Sequence, residues 1–194
     1  MKVLIIYCHP CDNSFTSNMK DEFIKGLNDS NHEYHILDLY NLDFNETFSE
    51  KEYLREAFYN DDLEIPEDIK QHQNLINKSD ALVFIYPVFW TEAPSKLVGW
   101  FQRVWTYGFA YGKKTEMKQL DKVLMLVTMG GDLNETIRRQ QVEAMKVVML
   151  GDRIGKRAKM KEMIVFDRMS RDYLERKNNY NNNLKRAYQI GKNF

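Results

Sequence analysis

Residues 7–17, Tyr-Cys-His-Pro-Cys-Asp-Asn-Ser-Phe-Thr-Ser, set thiols, an imidazole, a carboxylate and aliphatic hydroxyls between an apolar run and a helical pattern. A loop that feeds a helix N-terminus directs free backbone amides at one point. With the hydroxyls of Ser14, Thr16 and Ser17 and the helix dipole, it makes a phosphate site that needs no lysine. The plainer reading is that Ser14 or Thr16 only caps the helix. Cys8-His9-Pro10-Cys11 also has the Cys-x-x-Cys spacing of a dithiol oxidoreductase, whose helix N-terminus lowers a thiol pKa. That alternative is disfavoured, because the strand-first order lacks the elements that lead a thioredoxin domain. No metal site is expected: there is no second cysteine pair, and His32, His35 and His72 lack a ligand spacing.

Residues 86–109 carry a second chemistry, aromatic and apolar, in Tyr86-Pro87-Val88-Phe89-Trp90 and the stretch that follows. An unbroken apolar run, Ala81 to Tyr86, reads as a strand buried on both faces of a parallel sheet, and Pro87 stops it. Pro94 suits the first turn of a helix, and Leu97, Trp100, Phe101, Val104 and Trp105 recur at helical spacing as its core face. The loop between them, residues 87–93, is an apolar ledge for a flat ligand, or else a loop packed on its neighbours. A third segment, Val127-Thr128-Met129-Gly130-Gly131-Asp132, follows another strand. Its paired glycines permit positive backbone torsions and close approach of the main chain to a ligand, although a plain turn explains them too.

The elements that must position these loops are legible as apolar runs at 2–7, 33–39, 81–86, 122–128 and 162–167, read as strands with helical patterns between them. Met19, Phe23, Ile24 and Leu27 mark a first helix, and Leu75 and Ile76 end an acidic one. Asn134 is placed to cap a long helix through Val142, Met145, Val148 and Met149, and Tyr173 to Ile190 supplies a last. Strand and helix alternating over residues 1–194 predict a single α/β domain, a doubly wound five-stranded parallel sheet in the order 2-1-3-4-5 with helices on both faces. Loops after strands one, three and four then open on the carboxyl edge, around the point where strand order reverses. The asparagine run 178–183 predicts a broken or frayed last helix, and the Asp-, Glu- and Asn-rich segment 41–65 an exposed excursion.

Composition narrows the classes. With 43% hydrophobic and 13% aromatic residues in 194, the chain can bury a substantial core. No apolar run approaches the ~20 residues of a membrane helix, and two cysteines are too few for a disulfide scaffold, so a cytoplasmic protein without membrane insertion is expected. Net charge is zero but polarised: residues 28–80 carry 4 basic and 14 acidic side chains, a balance of −10, and residues 151–194 carry 12 and 5, a balance of +7. The C-terminal cations alternate with apolar residues at helical spacing, the pattern of a solvated helix face, so no nucleic-acid partner is expected.

One ligand satisfies all three loops: a phosphate for the first, a polar chain for the glycine turn and a large planar ring for the ledge, which is the anatomy of FMN. His9 with Ser14-Phe15, Tyr86 to Trp90, the Lys-x-x-x-Trp-Phe-x-Arg-Val helix from Lys96 to Val104, Gly108-Phe109-Ala110-Tyr111 and Thr128 to Gly131 together resemble the flavodoxin-like NAD(P)H:quinone oxidoreductase family. That family includes quinone reductases of the DT-diaphorase type and smaller bacterial flavin reductases. The resemblance implies that His9, Ser14, Phe15, Thr16 and Ser17 surround the flavin phosphate, and that the backbone of Pro87, Val88, Phe89 and Trp90 faces the isoalloxazine ring. It implies that Thr128, Met129, Gly130 and Gly131 contact the polar side of the ring or its ribityl chain. Trp90 would wall the substrate pocket, and Tyr111 matches a position that lines the partner's site in a dimer. Lys113 departs from a second aromatic of the larger relatives, and no Tyr and His follow Gly131 at their spacing.

The activity so implied is hydride transfer from NADH or NADPH through FMN, with FAD as an alternative, to a quinone or similar small acceptor. The flavin carries the chemistry and the protein supplies orientation and amide donors, each worth ~3 kcal/mol, so no catalytic side chain is singled out. Two further alternatives are a flavodoxin-type electron carrier and a flavin-binding regulatory subunit without turnover. Trp100, Trp105 and Tyr107 exceed the aromatic content one small core needs, which together with the family's pairing predicts a homodimer.

Overall fold

In the computed structural model, which describes residues 1–194, strands β1 (Lys2–Tyr7), β2 (Glu33–Asp38), β3 (Ala81–Pro87), β4 (Leu120–Thr128) and β5 (Ala158–Phe166) form one parallel sheet. Its order is β2-β1-β3-β4-β5, as the alternation of elements predicts. The chain steps from β1 outward to β2 and then crosses back over β1 to β3. The connections after β1 and β3 therefore leave in opposite directions and part a crevice at the carboxyl edge.

The unbroken apolar runs follow from burial on both sides. Leu4, Ile6, Leu82, Phe84, Val123 and Met125 enter the larger core, and Val3, Ile5, Val83, Ile85, Leu124 and Leu126 enter the smaller one. Period-two alternation thus serves two apolar faces at once. Helices α1 (Phe15–Asp29) and α6 (Arg176–Lys192) cover the smaller core. Over the larger lie α3 (Glu67–Lys78), α4 (Ser95–Val104) and α5 (Thr136–Lys146), with the short α2 (Glu50–Ala57) outside α4. No helix is long and apolar enough to cross a membrane.

Several local expectations are revised. The asparagine run lies inside a continuous α6 because tertiary contacts override poor propensity. Tyr180 packs edge-on against Phe15 at 5.0 Å and its hydroxyl accepts from the Asn18 amide, while Gly191 brings α6 against α1 so closely that a Cβ there would sit 2.1 Å from the Phe23 carbonyl oxygen. Segment 41–65 is mostly exposed, as expected, but it is anchored and holds a helix of its own. Ser49 and Glu52 form a capping box that starts α2, and Glu52 and Arg55 are buried. Their charges are met: Arg103 donates to Glu52 Oε1 at 2.7 Å, as well as to Asp68 Oδ2 at 2.9 Å and the Asn45 carbonyl at 2.7 Å, and Arg55 donates to Glu56 Oε1 at 2.7 Å.

Asn134 caps nothing. Its amide donates to Asp132 Oδ1, α5 starts two residues later, and the expected long helix is α-helical only to Lys146 before a π-helical stretch, Val147–Ile154. Strand β5 begins at Ala158, earlier than its apolar residues suggest, because it is an edge strand whose first half is exposed and lysine-bearing. The tryptophans that suggested a dimer are consumed inside the chain. Trp100 is fully buried and donates to His72 Nδ1 at 3.0 Å, and Trp105 donates to the Arg153 carbonyl at 2.6 Å.

Candidate functional site

The first loop caps its helix and still leaves backbone donors free. Ser14, extended at φ −131°, is the N-cap of α1, and its Oγ accepts from the Ser17 amide at 3.1 Å. The amides of Asn13, Ser14, Phe15 and Thr16 nevertheless donate to no protein atom, so four donors converge at a helix N-terminus. His9 Nδ1 accepts from the Cys11 amide at 3.0 Å, which puts the ring proton on Nε2. Burial pulls the His9 pKa below the ordinary value, against the opposite pull of Asp12, so the ring stays neutral near pH 7. Beneath the loop, the fully buried Tyr7 hydroxyl lies near the Ser14 and Ser17 hydroxyls without forming a hydrogen bond, and burial pushes its pKa up to about 12. Ser17 is buried and is not among the residues lining the adjoining cavity, whereas His9, Ser14, Phe15 and Thr16 are.

The second loop is a two-residue turn. Phe89 and Glu92 exchange both backbone hydrogen bonds, at 2.9 and 3.0 Å, and Trp90 and Thr91 between them take φ of 51° and 64°. Two successive non-glycine residues in the left-handed region are strained, a geometry that persists only where neighbours hold it. The neighbours here are Glu92 Oε1, which accepts from the Ala93 amide at 2.8 Å and from Arg153 at 3.2 Å. Pro87 closes β3 opposite Thr128, and the Val88 amide reaches the Thr128 carbonyl at 2.8 Å. The turn leaves the Trp90 indole 101% exposed, and the amides of Trp90 and Thr91 have no acceptor.

The third loop corrects one expectation. Neither Gly130 nor Gly131 takes a positive φ. At 131 a Cβ would lie 2.7 Å from Arg138 Nε, so a larger residue would push that flexible side chain aside, whereas at 130 it would meet only Ser170 at ordinary contact, 3.5 Å. The amides of both glycines are unbonded. A buried hydrogen bond of 2.8 Å between the Thr16 and Thr128 hydroxyls ties this loop to the first across 112 residues of sequence.

Together the three loops border a cavity of about 870 Å³, within the size range of cofactor sites. A smaller chamber of about 270 Å³ shares Val88, Met129 and Gly130 with it and extends to Trp90 and Gly131. The fourth wall, Met169, Ser170, Arg171, Arg176 and Tyr180, was missed in the sequence. A signal was available, since the strand-edge rule that selected the other loops applies equally to the polar segment after β5. Its two arginines add positive charge where the free amides gather.

Two candidates lie elsewhere. Tyr111 is outside the cavity, its hydroxyl donating to Glu56 Oε2 at 2.6 Å, and Glu56 also accepts from the Tyr107 amide at 2.6 Å and Arg55 at 2.7 Å. Cys8 is fully buried, and burial pushes its thiol pKa up to about 12. A buried thiol with a raised pKa is the opposite of the accessible low-pKa nucleophile that dithiol chemistry requires, and Cys11 is exposed.

The family model for the flavodoxin-like fold matches residues 1–149. The NAD(P)H:quinone oxidoreductase from Methanothermobacter marburgensis is 36% identical and superposes with a TM-score of 0.92 over 100% of this chain and 96% of that one. An FMN-dependent NADH-azoreductase from Bacillus anthracis, solved in complex with FMN, shares the fold at 15% identity and a TM-score of 0.72, over 100% and 99% of the two chains. NAD(P)H dehydrogenase (quinone) 1 of Rattus norvegicus is 29% identical over 147 residues, 67% of this chain and 54% of that protein. The chain spans about half the length of the curated relatives it matches first, at 54%, 46% and 54% of theirs. Strand order, a crevice at the topological switch point and a family match running from the first strand into the fifth helix agree: the chain belongs to the flavodoxin-like fold family.

Proposed function

We propose that the cavity binds FMN and that the protein is a flavin-dependent NAD(P)H oxidoreductase that reduces quinones or similar small acceptors. The observation that carries this reading is the set of unbonded amides around one continuous cleft: Asn13 to Thr16 at one end, and Trp90, Thr91, Gly130 and Gly131 at the other. These amides lie on residues that range from buried Phe15 and Thr16 to exposed Asn13, Trp90 and Gly130, so what supports the reading is their grouping at the two ends of one cleft, where a ligand with acceptors at both ends would replace water. FMN meets that demand, with a phosphate for the first set and the polar edge of its ring for the second. FAD is the alternative.

When bound, the flavin supplies the hydride-accepting ring. The protein's residues do the rest. Asn13 to Thr16 hold the phosphate by main-chain donors, aided by the helix dipole. The Thr16–Thr128 bond keeps the phosphate end and the ring end in register. Pro87 to Trp90 offer the face, and the amides of Trp90, Thr91, Gly130 and Gly131 stabilise negative charge that develops on the ring. These donors are fixed before reaction by the Phe89–Glu92 turn and by β4, so they cost no reorganisation. Trp90, wholly exposed, walls the substrate side.

The same reading extends to assembly and location. An indole left uncovered by its own chain, and a Tyr111 anchored away from its own cavity, suit a homodimer in which each chain's Tyr111 completes the other's substrate pocket. Two unpaired thiols suit the reducing cytoplasm.

The test is to offer the purified protein FMN and FAD, read the absorption spectrum after desalting, and add NADH or NADPH without oxygen. Retained FMN that bleaches within turnover time, and recolours on adding a quinone, is the expected result. Retention without bleaching makes the protein a carrier or binding subunit. No retention of either flavin overturns the reading.

A further inference from the structure

Arg138 is the one cation in the smaller chamber, and nothing in the activity described above uses it. It stands in the first turn of α5, and its side chain lies flat over Gly131, with Nε 2.7 Å and Cδ 2.9 Å from where a Cβ on that glycine would be. Nη1 donates to Gln141 Oε1 at 3.0 Å. Glu135 Oε2 approaches Nε at 3.5 Å without hydrogen-bond geometry, and Nε is inaccessible to solvent and unbonded. The chamber's other walls are Val88, Trp90, Thr91, Met129, the two glycines, Gln141 and Met145, none of them acidic. A guanidinium is thus held against the glycine turn by packing and by one neutral partner, its charge only partly met by an exposed glutamate.

Resting on the flavin reading, we infer that Arg138 sets the redox poise of the bound cofactor by stabilising the negative charge its ring acquires on reduction. The balance is that of hydride transfer. The C4–H bond of the dihydronicotinamide breaks and an N5–H bond forms on the ring. The donor leaves as the nicotinamide cation, and the ring gains one negative charge, spread over N1 and the C2 carbonyl. The glycine amides and the Arg138 guanidinium border one chamber and would serve the ring's polar edge together, and a guanidinium that is partly sheltered, with Nε out of solvent, acts more strongly than one in bulk water. The effect is selective for the reduced state because the oxidised ring is neutral and gains little from the charge.

The readouts are the midpoint potential of bound FMN, measured against reference dyes without oxygen, and the affinities for oxidised and reduced FMN. Arg138→Gln keeps the polar contacts and removes the charge. We expect it to lower the preference for reduced over oxidised FMN about tenfold, equivalent to about 30 mV in the potential of a two-electron couple. Arg138→Lys should recover most of that shift, and Gly131→Ala, which displaces the guanidinium without touching its charge, should shift the potential in the same direction by less. With the charge gone, the reduced ring should also take a second proton nearer neutral pH, steepening the slope of potential against pH.

Arg138→Gln and Gly131→Ala both holding FMN at the parental potential would overturn the inference, as would Arg138→Lys failing to restore it. If the parent retains no flavin, it is the functional reading that falls. Arg138 is partly exposed, on the first turn of a surface helix, so its substitution leaves the core intact.

Discussion

The two faces of the sheet are closed by different physics. Between α1 and α6 the contact is main chain on main chain. Gly26 lies where a Cβ would be 2.2 Å from the Tyr188 carbonyl oxygen, and Gly191 mirrors it against Phe23. On the opposite face, α2, α3 and α4 meet through large and charged side chains. Trp100, Phe101 and Trp105 pack mutually with ring centroids 5.2 to 5.3 Å apart, and beside them stand two ion clusters, Arg103 with buried Glu52 and exposed Asp68, and Arg55 with Glu56. The first contact has one answer and no tolerance for added atoms. The second is specified by pairing, so it responds to charge and to pH, and through Glu56 it reaches the loop that carries Tyr107 and Tyr111.

Experiments can break the comparison at each point. The largest effect belongs to the ionic face. Glu52→Ala leaves Arg103 Nε without its partner while Asp68 and the Asn45 carbonyl still hold Nη1, so it should cost about 3 kcal/mol, the lower end for breaking a buried pair, read as a fall in the urea midpoint at unchanged m-value. Replacing Glu52 and Arg103 together by apolar residues should cost far less, and equal losses in the single and double variants would mean that the pair matters only through packing.

Next comes the glycine crossing. Gly191→Ala should destabilise by about 2 kcal/mol despite alanine's better helix propensity, because the new methyl meets backbone that cannot move aside. An unchanged melting temperature would show that α6 slides freely on α1.

A third experiment separates the faces by pH. His72 Nδ1 accepts from Trp100, and burial holds its pKa below the ordinary value; Asp68 pulls the other way, while Arg103 and His35 reinforce the lowering. The folded value lies under the unfolded one of about 6.5, so the unfolded chain takes up the proton first as pH falls. The stability supplied by the neutral ring is whole above about pH 6.5 and is lost as pH drops through the window below it. His72→Gln, which keeps an acceptor for the indole, should flatten that part of the stability profile. The residual slope belongs to His9 and His32, whose values are lowered in the same sense. An unaltered profile would refute the assignment.

The smallest effect is at the rim between the faces. Thr16→Val removes the hydroxyl bridge to Thr128 and should cost about 1 kcal/mol of stability. It should weaken FMN retention more than it lowers the melting temperature, and an equal response in both would make the bridge purely structural.

The sequence was most legible where the signal is local. Strand runs, the Ser14 helix start and the turns at Pro87 and Gly130 follow from period-two burial, capping and chain-breaking residues, and each depends on neighbours a few positions away. In the Lys96–Val104 segment the core face was legible, Leu97, Trp100, Phe101 and Val104 being buried as their spacing predicts, whereas the partners of its polar groups were not. Lys96, Trp100 and Arg103 do not face the cleft: Lys96 anchors the Phe44 carbonyl at 2.5 Å and Glu46 at 3.1 Å, Trp100 donates to His72, and Arg103 gathers α2 and α3. Their spacing is visible, but their partners lie 28 to 58 residues away, and no local pattern marks them.

By itself, then, the chain's order of residues determines a doubly wound parallel sheet and the three loops that end its inner strands, because backbone geometry and apolar periodicity act over single elements. Only the tertiary structure decides which side chains those loops keep. It turns Ser17 inward, leaves Trp90 bare, lays Arg138 on Gly131 and adds Arg171 and Arg176 as a fourth wall. The physical reason is that a side chain's direction is set by what it meets across the fold, and β1, β4 and α6 come together only when the sheet is wound.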